Sequence, residues 1–270
     1  MRKPKVKNTR KIVGIIVAFI TIIVGSIALY YVKTKEDSDN KSKKYYDRMR
    51  DEVQNTPSDE SLNEEFIVDW EALKDSNVVA WIKYGDTVDY PVVQGKDNNY
   101  YLKHLPNGNY SVGGSLFLNA HNASDFTDPN SIIYGHNMTS GAMFGEFKKY
   151  VSQIKETPKE IYLYLPDGTK HIYKVFSINK TLYNGIAYKI DFKDVMEYEE
   201  YQNKLLETTA FDVGGITDTT KRILTLSTCS VIGSKQGNRV VITGMEKYIK
   251  HIQEPASWYE HQYTDDEGAE

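Results

Sequence analysis

Twenty-one consecutive positions without a charge, Ile12 to Val32, open the hydropathy pattern of this chain. As a helix rising 1.5 Å per residue, the run is about 31 Å long and matches the hydrocarbon core of a bilayer. Six basic residues and no acidic one precede it: Arg2, Lys3, Lys5, Lys7, Arg10 and Lys11. The positive-inside rule then predicts a cytoplasmic N-terminus and an extracellular remainder. A cleaved signal peptide would carry a shorter apolar region and a small-residue cleavage site, whereas this run ends in Leu29-Tyr30-Tyr31-Val32. The pattern predicts a basic tail over 1–11 and an uncleaved transmembrane helix over 12–32.

Residues 33–60 are polar and charged. Tyr45 to Gln54 can form a helix but carry no wide apolar stripe, so the stretch predicts an extracellular stalk. Leu62, Phe66, Trp70 and Leu73 then fall on one face of a helix, with Ser61 and Glu64 placed for a capping box, and the globular domain is predicted to start there. Beyond this the apolar positions come in short runs separated by turn residues. Strands are predicted at Val78–Tyr84, Val88–Val93, Ser115–Leu118, Ser131–Tyr134, Glu160–Leu165, Lys170–Phe176, Ile223–Ser227 and Arg239–Thr243. Gly85-Asp86 and Pro166-Asp167-Gly168 supply turns between neighbouring runs.

One helix is predicted over 191–208, with Phe192, Val195, Tyr198, Tyr201 and Leu205 on one side. The fold class is therefore mostly β with peripheral helices, and about eight short strands point to a closed or nearly closed barrel. The catalytic or binding domain spans 61–250, and 251–270 form a polar tail that adds little to the core. No internal repeat is visible.

Composition narrows the picture only slightly. A 40% hydrophobic and 26% charged chain of 270 residues is ordinary for a globular protein. A formal net charge of -4 argues against nucleic acid or an acidic polymer as partner. The cysteine count matters more. Cys229 is the only one, so an intramolecular disulfide is excluded, and the residue is either a small buried hydrophobe or a thiol kept for chemistry.

Cysteine, histidine and arginine together make amide-bond chemistry possible. An ordinary thiol is about 3% thiolate at pH 7, yet it is a strong nucleophile that needs only modest activation. A histidine serves as counter-ion and proton donor to a departing amine. An arginine offers a permanent forked donor to an oxygen that becomes negative. His136 follows an apolar run and a glycine, where a side chain can emerge at a barrel rim, and His121 lies in the polar loop Asn119-Ala120-His121-Asn122. Spacing alone does not choose between them. His104, His171, His251 and His261 have polar or mid-strand surroundings and read as surface residues. Arg239 opens a strand ten residues after Cys229, and strands 223–228 and 239–243 are plausible antiparallel neighbours.

Five blocks carry a family resemblance: Trp81-Ile82 with Thr87 to Gly95, Asp97 to Leu102, Gly114 to Leu118, Ile133-Tyr134-Gly135-His136-Asn137-Met138 with Met143-Phe144, and Thr225-Leu226-Ser227-Thr228-Cys229. Together they resemble the sortases, specifically class B, membrane-anchored cysteine transpeptidases of Gram-positive bacteria. The resemblance runs from about Phe66 to Lys247. It implies an eight-stranded sortase-type β-barrel on the outer face of the plasma membrane. It makes Cys229 the nucleophile, His136 the general acid/base and Arg239 the substrate or oxyanion donor, with Asn122, Ser227, Thr228 and Tyr188 as groove contacts. The segment from about Thr181 to Thr220 matches the helix-bearing connection that walls the signal-peptide groove.

No cofactor or metal is implied. The implied partners are sorting-signal peptides of Pro-x-Thr type on secreted proteins, and a peptidoglycan cross-bridge amine or a pilin lysine as acceptor. A hydrolytic cysteine peptidase of the same fold and an inactive membrane-tethered binding domain are the competing readings. The chain departs from the class pattern in three places. The spacing from Cys229 to Arg239 is long. The loop Ser230 to Asn238 lacks acidic and aromatic residues, and Asn119-Ala120-His121-Asn122 replaces a more usual Asp-aromatic-Arg-Asn.

Overall fold

The structure is a computed structural model that describes residues 6–54, 66–182, 184–209, 217–229 and 239–259; the side chains of residues 6–11, Lys35 and Cys229 lie outside that description. Eight strands close into a barrel in the order β1-β2-β3-β4-β7-β8-β6-β5. They are β1 (Val78–Tyr84), β2 (Val88–Gln94), β3 (Leu116–Leu118), β4 (Asn130–His136), β5 (Glu160–Tyr164), β6 (Thr169–Thr181), β7 (Ile223–Cys229) and β8 (Arg239–His251). Two neighbouring pairs, β2 with β3 and β4 with β7, are parallel. The other six are antiparallel.

Strand alternation builds two cores from one sheet. Ala80, Ile82, Leu116, Leu118, Ile133, Leu163, Leu224, Leu226 and Ile242 converge in one buried cluster inside the barrel. Their neighbours Trp81, Phe117, Ile132, Tyr134 and Tyr164 point the other way and form a second cluster under the N- and C-terminal segments. Both faces are therefore covered, which is why the strands read as nearly continuous apolar runs. Gly85 turns β1 into β2 with φ 57, and a Cβ there would meet Pro158 Cγ at 2.7 Å.

Helix α3 (Val195–Glu207) starts where Asp194 accepts a hydrogen bond from the Glu197 amide, a side-chain cap. It lays Tyr198, Tyr201 and Leu205 on Phe176, Ile223 and Val241 of the barrel wall. Val195, expected on that face, is 64% exposed, because the helix begins four residues later than the sequence pattern suggested. A short helix α2 (Phe147–Ser152) was not foreseen in the sequence; Phe147 and Tyr150 bury against Tyr84.

The packed body is larger at both ends than the hydropathy pattern implied. Helix α1 runs unbroken from Val6 to Val53 and joins the apolar run to the barrel. Ser42, Tyr46 and Val53, within the expected stalk, are buried. Ser42 Oγ lies 2.6 Å from Ser111 Oγ, and the Tyr46 hydroxyl donates to Gly114 O at 2.8 Å. Arg50 donates to Asp89 O at 3.0 Å. Burying a side chain as large as Tyr46 contributes on the order of 2 kcal/mol, enough to dock the end of the helix. The narrow spacing of these residues hid them from a search for a wide stripe.

At the other end, Ile252 and Gln253 amides donate to Gly168 O, Ala256 is buried, and Trp258 donates to Trp70 O at 3.2 Å. Residues 252–259 thus belong to the second core. The helix anticipated over Leu62–Leu73 has its first part outside the described residues, and the rest is one 3-10 turn, Glu71–Leu73. Among the described residues, one helix is long and apolar enough to cross a membrane, and its large apolar side chains from Ile12 to Val32 are exposed.

Candidate active site

β4 and β7 run parallel and end at the same level. Their Cα pairing runs from Asn130↔Ile223 to His136↔Cys229, so the two residues close the two strands side by side at one rim. β8 returns antiparallel to β7 with Ser227↔Val241, and the Val240 amide donates to Thr228 Oγ1 at 2.9 Å. Arg239 is the first residue of β8 and starts at this same rim. Of the two histidines, His136 is the one whose register brings it beside Cys229, whereas His121 stays in its polar loop, exposed, with Nδ1 3.3 Å from Asn119 Oδ1.

Local sequence holds the imidazole in place. A Cβ at Gly135 would meet Leu116 Cδ2 at 2.4 Å and Phe144 Cδ2 at 2.7 Å, so only glycine lets the Phe144 ring lie across the strand end. The Phe144 amide then donates to His136 O at 3.0 Å, and an isolated bridge joins Asn137 to Met143. His136 Nε2 lies 2.7 Å from Leu102 O. A carbonyl can only accept, so Nε2 carries the proton and Nδ1 is the nitrogen left for proton exchange.

Burial holds the His136 pKa below the ordinary histidine value; the Leu102 carbonyl opposes this in part, and the Lys103 charge adds to it. His136 is therefore a neutral imidazole at pH 7. A proton added to it is disfavoured in the fold relative to the unfolded chain, so its contribution to stability is present above about pH 6.5 and is lost as pH falls below that. Burial lowers His171 in the same way. Both ring signals are expected to titrate below 6.5 in an NMR pH series on the Cys229→Ala protein. Lys103→Glu is expected to shift the His136 midpoint upward and leave His171 unmoved. A His136 midpoint above 6.5 in the parent protein would contradict the burial argument.

Arg239 is set by aromatic packing. Its guanidinium carbon lies 5.7 Å from the centre of the Tyr188 ring, and its Nε is buried without a hydrogen-bond partner among the described residues. Tyr188 stacks on Tyr134 at 6.3 Å, and its hydroxyl lies 2.8 Å from Ser227 Oγ. Asn130 fixes the turn that carries Tyr188 by donating to Ala187 O and Lys189 O, while its own Oδ1 accepts from Thr225. A buried donor left unpaired costs about 1–3 kcal/mol, and such a group is a natural place for a ligand oxygen.

Of the four residues expected in the groove, Tyr188 alone stands beside Arg239. Ser227 and Thr228 are buried, with their hydroxyls engaged by Tyr188 and the Val240 amide. Asn122 is buried too, donating to Asp128 and Asn130 O and accepting from the Ile132 amide, so its side chain ties the 119–132 loop together. His171, expected at the surface, is buried 3.5 Å from Glu246, because β6 is covered on both faces. His104 stacks on Tyr100 at 4.0 Å, His251 is exposed, and His261 lies outside the described residues. The Leu102 carbonyl and the Asn130 side chain, which orient the rim, gave no sequence signal; Phe144 was visible only as part of a motif.

A cysteine and a histidine thus stand in register at one rim of a closed barrel, and an arginine heads the neighbouring strand. A family model for the sortase domain matches residues 83–247. Sortase B of Listeria monocytogenes is 31% identical over 169 residues, covering 62% of this chain and 69% of that protein. Sortase B of Staphylococcus aureus is 28% identical over 250 residues, covering 91% and 99%. The crystal structure of sortase B from B. anthracis in complex with AAEK1 superposes with a TM-score of 0.66 at 26% identity, covering 77% of this chain and 97% of that one. The chain belongs to the sortase family, in class B, and is a cysteine transpeptidase.

Proposed function

We propose that this transpeptidase is anchored by residues 12–32 with its barrel outside the cell, cleaves Pro-x-Thr sorting signals of secreted proteins, and joins them to an amine. The observation that carries this reading is the pairing of His136 with Cys229 at the end of parallel strands, with β8 opening at Arg239. Cys229 is the only cysteine in the chain, so a cysteine mechanism has one candidate nucleophile.

In the first step Cys229 Sγ forms a bond to the carbonyl carbon of the threonine. The oxygen takes up negative charge against Arg239, a contribution worth about 3–4 kcal/mol for a good donor. The C–N bond then breaks, and the leaving amine takes its proton from His136. Ordinary thiol and imidazole values near 8.5 and 6.5 give the reactive ion pair to about 1% of molecules. Burial of His136 makes it scarcer still. In the second step the acceptor nitrogen forms the new C–N bond, the C–S electrons return to Cys229 Sγ, and the amine proton passes to His136. The acceptor is a peptidoglycan cross-bridge amine or a pilin lysine.

Product analysis tests this directly. A Pro-x-Thr peptide with added triglycine amide is expected to give the new amide and a covalent adduct on Cys229 by intact mass. Free acid alone, whatever the amine concentration, would make the chain a hydrolytic peptidase. Absence of any adduct would leave a membrane-tethered binding domain.

A further inference from the structure

The carbonyl that orients the His136 ring lies in the connection between β2 and β3, where Leu102 O accepts from Nε2 at 2.7 Å. The backbone on both sides of Leu102 is tied to residues 111–115. The Ser111 amide donates to Lys103 O at 2.9 Å, the Ser115 amide to Tyr101 O at 3.0 Å, and the Ser115 hydroxyl to His104 O at 2.8 Å. Gly114 adopts φ 55 and packs directly on this bend, where a Cβ would meet Leu102 O at 2.6 Å. Whatever holds residues 111–115 thus decides where the Leu102 carbonyl points.

Helix α1 holds them. The Tyr46 hydroxyl donates to Gly114 O at 2.8 Å and lies 3.1 Å from Ser115 Oγ. One helical turn earlier, Ser42 Oγ lies 2.6 Å from Ser111 Oγ, which also accepts from the Gly113 amide at 3.2 Å. Ser42, Tyr46, Ser111 and Ser115 are all buried, so these bonds are shielded from water and transmit a displacement instead of dissipating it. Tyr46 has a second contact that can be separated from the first. Its ring meets Tyr90 edge-on at 5.2 Å, which depends on the ring and not on the hydroxyl.

We infer that Tyr46 is a positioning residue for the transfer reaction: its hydroxyl, through Gly114, fixes the Leu102 carbonyl that orients His136. The inference rests on the transpeptidase reading above, in which His136 gives a proton to the leaving amine and takes one from the acceptor. Proton transfer is sensitive to the angle of the ring, so a carbonyl that drifts lowers the rate of the chemical steps while the peptide still binds. The end of α1, expected from the sequence to be a stalk, is then part of the machinery that sets the imidazole.

Tyr46→Phe tests this, because phenylalanine keeps the Tyr90 contact and loses only the donor. In the full chain in detergent micelles, kcat for joining a Pro-x-Thr peptide to triglycine amide is expected to fall about tenfold, with KM for the peptide within about twofold of the parent. Ring spectra supply a readout that a merely structural role would not move. They use isotope-labelled histidine nitrogens in the Cys229→Ala background, with the His136 signal assigned by its loss in His136→Gln. Tyr46→Phe is expected to weaken the protected Nε2–H signal of His136. The Leu102 carbonyl raises the His136 pKa against burial and the Lys103 charge, so its withdrawal shifts the midpoint further down and leaves His171 in place. Ser42→Ala is expected to move the same signals in the same direction by less. A lower unfolding midpoint with kcat and the His136 signals unchanged would reduce Tyr46 to a docking contact and overturn the inference. A loss confined to KM, or a His136 midpoint that moves upward, overturns it as well. If Tyr46→Phe does not fold, Ser42→Ala decides by the same spectra: unmoved His136 signals overturn the inference. The spectra need no turnover, so a parent that forms no adduct on Cys229 fails the transpeptidase reading, a result distinct from unmoved His136 signals.

Discussion

Cys229→Ala is expected to abolish transfer and hydrolysis together, by about 10⁴-fold or more, with the unfolding midpoint essentially unchanged. The two halves of this expectation separate the two roles open to a lone cysteine. A buried small hydrophobe replaced by alanine would lower stability modestly and leave turnover near normal. A nucleophile replaced by alanine leaves the register of β4, β7 and β8 intact, because those strands are held by backbone pairing and by the Thr228 and Ser227 hydroxyls. The double variant Cys229→Ala with His136→Ala is expected to be no worse than the single one, since groups that act as a unit do not lose activity additively. Turnover above one hundredth of the parent in Cys229→Ala would remove the thiol from the mechanism.

Much of the barrel was legible because both of its faces are apolar. All eight predicted strands correspond to observed ones, and Gly85 and Gly168 mark turns with φ 57 and φ 81. Strand ends were less legible. β6 runs on to Thr181 and β8 to His251, past the apolar runs that marked them, because long antiparallel pairing with each other sustains them beyond the core. Docking of the terminal segments was hidden for a different reason. Tyr46, Arg50, Trp258 and Gln253 hold these segments by donating to the backbone carbonyls of Gly114, Asp89, Trp70 and Val68, contacts that leave no periodic trace.

The site shows the same division. The motif residues at the ends of β4 and β7 were visible as a cysteine, a histidine and a glycine in suggestive places. Their orienting partners were not, because a carbonyl such as Leu102 O has no residue type. Asn122, Ser227 and Thr228 stood near the motif in sequence, yet the fold uses their polar atoms internally. Proximity in the chain thus overstated their access to a ligand, whereas Tyr188, 51 residues before Arg239, comes to lie against it through the turn that Asn130 holds.

Arg239→Lys is expected to lower kcat/KM by about 10²–10³, the range for losing a principal oxyanion donor. Lysine keeps the charge, so a purely electrostatic role would survive the change nearly intact. It does not keep the planar fork, the stacking on the Tyr188 ring, or a donor at the position of the buried and unpaired Nε. Tyr188→Phe retains the ring but removes the hydroxyl that meets Ser227 Oγ, and is expected to cost only severalfold. Tyr188→Ala, which frees the guanidinium to rotate, is expected to approach the loss seen in Arg239→Lys. The same series measured in the Arg239→Lys background distinguishes positioning from direct contact. If Tyr188 acts by holding the fork, its removal has little left to take away once the fork is gone. If instead the two losses multiply, Tyr188 touches the substrate on its own account, and the arginine is oriented by something other than that ring.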